Sequence, residues 1–172
     1  MKKLILIVMF LSSLGNAQEK ISIQIMQDAK LGIVGDKKHG YKRGTMDMAF
    51  SVMVQGEQKK YGYLIAYPEF EYADLKYDSY KRWTANVGYS FNKLYIKNVE
   101  VGGSISYGFI DRRAIKMCIG ANGFVKYKLC NYFKLIANMQ FSQRPDLDVL
   151  YGIPNEYRYS GQIGIEINIL KK

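Results

Sequence analysis

His39, the chain's one histidine, falls in a polar segment of lysine and glycine, and a second polar segment carries Asp74, Asp78 and Ser79. These residue types can run acyl transfer or hydrolysis. A histidine takes the proton from a hydroxyl and a carboxylate orients the imidazole, with His39 as base, Ser79 as hydroxyl and Asp74 or Asp78 as orienter. No spacing motif joins them. Metal chemistry has less to work with, because a zinc centre needs about four Cys/His ligands and the chain has one histidine and two cysteines. Along an extended strand Cys118 and Cys130 stand ~40 Å apart at ~3.3 Å per residue, so they read as separate thiols and not as a disulfide. Neither a metal nor a cofactor is expected.

A larger set of charged residues, Glu69, Glu71, Arg82, Glu100, Lys126, Lys134 and Glu166, lies inside segments that alternate apolar with small or polar residues. The clearest segment is Trp83 to Asn92. Trp83, Ala85, Val87, Tyr89 and Phe91 share one face, and Thr84, Asn86, Gly88, Ser90 and Asn92 share the other. A period of two is a strand with two unlike faces. Eight such strands are predicted, over 20–33, 45–55, 60–72, 83–92, 98–109, 115–129, 132–142 and 157–170. Each meets the ~9 to 11 residues that a tilted transmembrane strand requires. In the third strand both parities are apolar. Leu64, Ala66, Phe70 and Tyr72 are assigned outward because that sends Glu69 and Glu71 inward, and Pro68 then costs a ladder bond.

The inward parity of these strands carries the acids Asp28, Asp47, Glu69, Glu71, Glu100 and Glu166 and the bases Lys30, Arg82, Lys116, Lys126, Lys128, Lys134 and Arg158. The two signs nearly balance, and an eight-stranded barrel is only wide enough for its own side chains. A paired, hydrogen-bonded plug is the expectation, with no water-filled pore. The outward parity is almost free of charge, as lipid demands, since Arg or Lys at the midplane costs ~2 to 4 kcal/mol.

Residues 1–17 read as an export signal: Met1-Lys2-Lys3, an apolar run from Leu4 to Leu11, and small residues up to Ala17. The remaining domain is 18–172, and the whole chain is rich in tyrosine (15) and glycine (16) and poor in proline (3), with slightly negative mean hydropathy. That composition excludes a helical membrane protein and suits a barrel whose strands spend every second residue on a polar interior. Predicted connections alternate in length: 34–44, 73–80, 110–114 and 143–156 at one rim, and 56–59, 93–97 and 130–131 at the other. That is the pattern of outer loops and tight periplasmic turns.

Taken together, these segments resemble the small outer-membrane barrels of the OmpA transmembrane-domain and OmpX type, over nearly all of residues 18–170. The resemblance implies an all-β, eight-stranded antiparallel up-and-down barrel in the outer membrane of a Gram-negative bacterium. It also implies insertion by the outer-membrane assembly machinery. One departure is the terminus Ile169-Leu170-Lys171-Lys172, where such barrels end on an aromatic residue.

The expected outer loops carry Lys37, Lys38, His39, Lys42 and Arg43 in the first, Lys76 and Lys81 in or beside the second, Arg112 and Arg113 in the third, and Arg144 in the fourth. Their acids are Asp36, Asp74, Asp78, Asp111, Asp146, Asp148 and Glu156. Lys37, Lys38, Lys42, Arg43, Arg112 and Arg113 are the candidate contacts for lipopolysaccharide phosphates or another polyanion. The expected role is a monomeric structural or surface-interaction barrel, in contact with outer-membrane lipid and lipopolysaccharide. The alternative is a lipid A-modifying acyl transferase or deacylase built on His39. Charged inward residues speak against a secreted carrier of apolar ligands, and the export signal speaks against nucleic-acid binding.

Overall fold

The computed structural model describes residues 20–35, 42–75, 78–92, 94–152 and 156–171. The segment read as an export signal lies outside them, as do Lys37, Lys38, His39 and Lys76. Eight strands form the fold: β1 (Lys20–Asp28), β2 (Asp47–Gln55), β3 (Gly62–Leu75), β4 (Asp78–Phe91), β5 (Val99–Arg112), β6 (Ala114–Lys128), β7 (Phe133–Gln143) and β8 (Tyr157–Lys171). Each pairs antiparallel with its sequence neighbours, and β8 returns to β1, closing the barrel. Closure leaves no sheet edge.

Alternation decides which face goes where. Trp83, Val87, Ile105, Ile119, Met139 and Ile163 are exposed on the outside, whereas Glu69, Arg82, Lys126, Lys134 and Glu166 are buried inside. Strand β3 turns Tyr63, Ile65, Tyr67, Glu69 and Glu71 inward and leaves Leu64 and Tyr72 on the outer wall. The β2–β3 ladder runs to Ser51↔Glu69 and resumes at Val54↔Ala66, skipping two rungs at Pro68, whose ring has no N–H to donate. A groove of about 260 Å³ opens in the outer wall there, lined by apolar residues including Phe50, Val52, Pro68, Phe70 and Trp83.

The rim away from the termini departs from the sequence expectation in three places. The alternation predicted through residue 33 stops at Asp28, whose carboxylate accepts the Leu31 N–H at 2.9 Å and caps a one-turn helix, α1 (Ala29–Ile33). Leu31 is thereby buried and Lys30 exposed, the reverse of the predicted parity. The predicted loop 73–80 shrinks because alternation continues through it: Ala73, Leu75 and Tyr80 point inward and lengthen both strands. The predicted loop 110–114 reduces to Arg113, held at φ 62° between β5 and β6. The fourth connection is long and contains a second short helix, α2 (Asp146–Tyr151), ended by Gly152 at φ 66°.

Lys116 and Lys128, assigned to the inward parity, are exposed near the strand ends, where a lysine reaches water. Cys118 is buried and Cys130 exposed, both as free thiols. Gly164, opposite Met26 across the closing seam, is needed for close approach, since a Cβ there would collide with the Ile25 carbonyl and the Met26 backbone. Gly164→Ala should therefore cost about 1–3 kcal/mol of stability, read as a lower urea midpoint from the fluorescence of Trp83, the one tryptophan.

Candidate functional site

The chemistry-bearing side chains gather in three groups inside the barrel. Nearest the termini, β7 sets Lys134 directly opposite Glu166 of β8, and β5 sets Glu100 opposite Lys126 of β6. The ion pairs do not stop at these neighbours. Lys126 Nζ reaches Glu166 Oε2 at 2.6 Å, and Lys134 Nζ lies 2.8 Å from Glu100 Oε1 and 3.1 Å from Glu166 Oε1. Neutral donors complete the set: Gln24 Nε2 donates to Glu166 at 2.8 Å and the Tyr63 hydroxyl to Glu100 at 2.7 Å. Two carboxylates and two ammonium groups cancel, so the cluster carries no net charge. That is the condition under which buried ions are tolerated.

Further along the bore, Arg82 of β4 lies between two carboxylates of β3, with Nη2 2.5 Å from Glu69 Oε1 and Nε 2.8 Å from Glu71 Oε2. Between these groups the Tyr67 and Ser104 hydroxyls lie 2.7 Å apart, and Asn122 donates to Asn86 at 3.1 Å. The third group lies at the mouth away from the termini. α2 lays Asp146 and Leu147 into it, both buried. Arg144 grips Asp146 through two bonds, Nε to Oδ1 at 2.8 Å and Nη2 to Oδ2 at 2.7 Å, in the planar fork that suits a carboxylate. Arg112 Nη1 approaches the same carboxylate at 3.3 Å, and the Arg144 guanidinium stacks 4.3 Å from the Tyr80 ring centroid.

This latch corrects the loop reading of Arg112, Arg144 and Asp146. All three are expected on outer loops, yet they are buried together, because β5 runs three residues past its predicted end and carries Arg112 inward. The apolar residues Leu147, Val149, Leu150 and Tyr151 within the connection are the available signal that part of the segment packs inward, and Leu147 is the one that is buried. Of the other rim candidates, Lys42, Arg43 and Arg113 are exposed. Asp74 faces Ser79 across the β3–β4 hairpin, and Asp78 accepts the Ser79 N–H at 2.8 Å. The histidine proposed to join them lies outside the described residues.

No family model matches the chain, and no curated protein does. Among solved structures it is similar to the backbone structure of the Yersinia pestis outer membrane protein Ail in a phospholipid bilayer nanodisc. The match has a TM-score of 0.56 at 13% identity and covers 89% of this chain and 99% of that one. The chain has the fold of that barrel.

The interior pairs set two expectations. Glu166→Ala leaves Lys126 buried without its carboxylate and should cost about 3–5 kcal/mol. Adding Lys126→Met should restore much of that loss, since Lys134 keeps Glu100; urea unfolding of both variants checks it. At the mouth, burial pushes the Asp146 carboxyl up, but the hydrogen bonds and charges of Arg144 and Arg112 outweigh it and hold Asp146 below the usual carboxylate range. A lowered carboxyl stabilises the fold fully above its unfolded value, ~3.9, and the contribution is lost as pH falls through the lower folded value. The Leu147 amide signal should therefore be constant from pH 7 to 5 and shift only below about pH 4.

Proposed function

We propose that the chain is an integral outer-membrane barrel with a filled interior, acting in envelope structure and surface interaction and not as a channel. The single observation that supports this is the inversion of the wall. Large apolar side chains on seven of the strands, among them Val52, Trp83, Ile105, Ile119, Met139 and Ile163, face outward uncovered, and Ile21, Ile23 and Ile25 of β1 face outward half-buried, while the ion pairs lie inside. A monomer in water rarely leaves an apolar patch of more than a few hundred Å² exposed. A hydrocarbon surround turns that cost into a gain. The cross-bore reach of Lys126 and Lys134 and the Asp146 latch favour a filled bore.

On the same reading, Lys42, Arg43 and Arg113 meet the phosphates of lipopolysaccharide or a similar surface polyanion, with Lys37 and Lys38 from the same connection as Lys42. Arg113 supports this beyond its charge. A non-glycine residue at φ 62° on a hairpin tip carries a conformational cost, and an exposed arginine kept there points to use of its guanidinium. Arg112 is withdrawn from the contact set by its pairing with Asp146.

The protein should fractionate with outer membranes, shift in gel mobility on boiling, and give no single-channel currents in planar bilayers. Recovery as a soluble monomer, or steady conductance, sinks the respective half of the proposal. Retention on immobilised lipopolysaccharide should fall with added salt and fall further in Lys42→Gln/Arg43→Gln/Arg113→Gln. Retention that ignores both salt and the substitutions removes the polyanion role.

A further inference from the structure

The strongest one-signed charge on the described surface is not at the rim of the long connections. There, the exposed bases Lys30, Lys42, Arg43, Lys81, Arg113 and Lys116 are mixed with Asp74, Asp78, Asp148 and the partly exposed Asp111 and Glu156. The opposite rim, where β1 begins and β8 ends, is built from the turns 56–61, 92–98 and 129–132. It exposes Lys59, Lys60, Lys97 and Lys128, and Glu57 is the one acid among the described residues of those turns. Lys59 holds Glu57 at 2.7 Å in an exposed pair.

Apolar and aromatic residues share this rim with the lysines. Leu94, Tyr95 and Ile96 form an exposed run in the β4–β5 turn, and Tyr61, Leu129 and Tyr132 stand exposed on the other two turns. Tyr95 is wholly uncovered, and Lys60 Nζ lies 5.1 Å from the Tyr61 ring centroid. These residues lie beyond the ends of the strands and leave from two-fifths to all of their surface uncovered. Tyrosine and lysine together suit the headgroup layer, where the ring takes the apolar side and the ammonium snorkels to phosphate.

We infer that the termini-side rim is a binding surface for anionic glycerophospholipid headgroups of the leaflet on that side, with Lys59, Lys60, Lys97 and Lys128 as the phosphate contacts and the Leu94-Tyr95-Ile96 turn as the apolar anchor. This rests on the membrane reading above. The charge decides the occupant: lysines collected on one rim are attracted to a negative lipid surface within a Debye length, and a zwitterionic surface gives them no net field.

The test uses the full barrel in vesicles of phosphatidylcholine with phosphatidylglycerol, either lipid being brominated in turn. In a Trp83→Phe background, Tyr95→Trp reports lipid at the termini-side rim, and the native Trp83 reports the wall towards the other rim. Brominated phosphatidylglycerol should quench the Tyr95→Trp reporter as though enriched about three- to fivefold over phosphatidylcholine. The enrichment should vanish in Lys59→Gln/Lys60→Gln/Lys97→Gln/Lys128→Gln and fall in 0.5 M salt, while the Trp83 signal ignores the four substitutions. Equal quenching by the two lipids, or a preference untouched by salt, overturns the inference. If the quadruple variant does not fold, the salt titration of the parent decides alone. Gel mobility before and after boiling is read on the same vesicles. A protein that never inserts sinks the membrane reading and this inference with it, whereas an inserted barrel without lipid preference sinks this inference only.

Discussion

Closure of β8 onto β1 is the constraint on which the rest of the structure depends. It satisfies the backbone of the two strands that would otherwise be edges, and it commits every second side chain to a space bounded on all sides by wall. A carboxylate in that space cannot keep its hydration shell, so it must find donors among its neighbours. Glu166 finds Lys126, Lys134 and Gln24, from three different strands. The ion pairs and the Gln24 bond are therefore consequences of closure, and together they tie β1, β6, β7 and β8 independently of the ladder.

The same logic explains the mouth. At the end where the long connections lie, β5 ends on Arg112, which is buried, and the apolar cluster of Leu31, Ala73, Leu75, Tyr80, Ile110 and Cys118 is buried as well. α2 supplies Asp146, and Arg144 comes with it, so the mouth gains one carboxylate shared by two guanidiniums. α1 contributes Leu31 to the apolar cluster from the other long connection. Each of the two short helices buries a leucine at this rim, Leu31 and Leu147, and each is held by a side chain at its first turn or just before it: Asp28 capping α1 and Asp146 anchoring α2.

What the sequence made legible was whatever a period of two controls. The eight strands, their faces and the inward set Glu69, Glu71, Arg82, Glu100, Lys126, Lys134 and Glu166 all follow from parity once one strand is oriented. Parity is silent where a strand stops. Nothing in the alternation of 20–33 distinguished a continuing strand from an Asp28 cap followed by a helical turn, because the cap is a hydrogen-bond choice and not a pattern. Nor did it reveal that Ala73, Leu75 and Tyr80 extend a hairpin through a segment whose Asp74, Asp78 and Ser79 look like loop. Outer-loop placement fails for Arg112 and Asp146 because their pairing joins residues 34 apart in sequence, and Arg144, two residues from Asp146, is buried with them.

Strand β3 shows why the interior is ionic when leucines would also have filled it. Its two faces are almost equally apolar: Tyr63, Ile65 and Tyr67 inside, Leu64, Ala66, Phe70 and Tyr72 outside. Hydrophobicity alone would let this strand slip by one residue, exchanging its faces at little cost. Glu69 and Glu71 remove that freedom. A slip would tear both from Arg82 and turn two carboxylates onto the apolar wall, while leaving the guanidinium buried without a counter-charge from β3. Breaking a buried pair in this way costs about 3–5 kcal/mol, more than the small difference between the two apolar faces can repay. Ion pairs inside contribute little net stability over a packed apolar core. Their effect here is to make one register of β3 against β4 far better than the next, which the apolar residues of that strand cannot do.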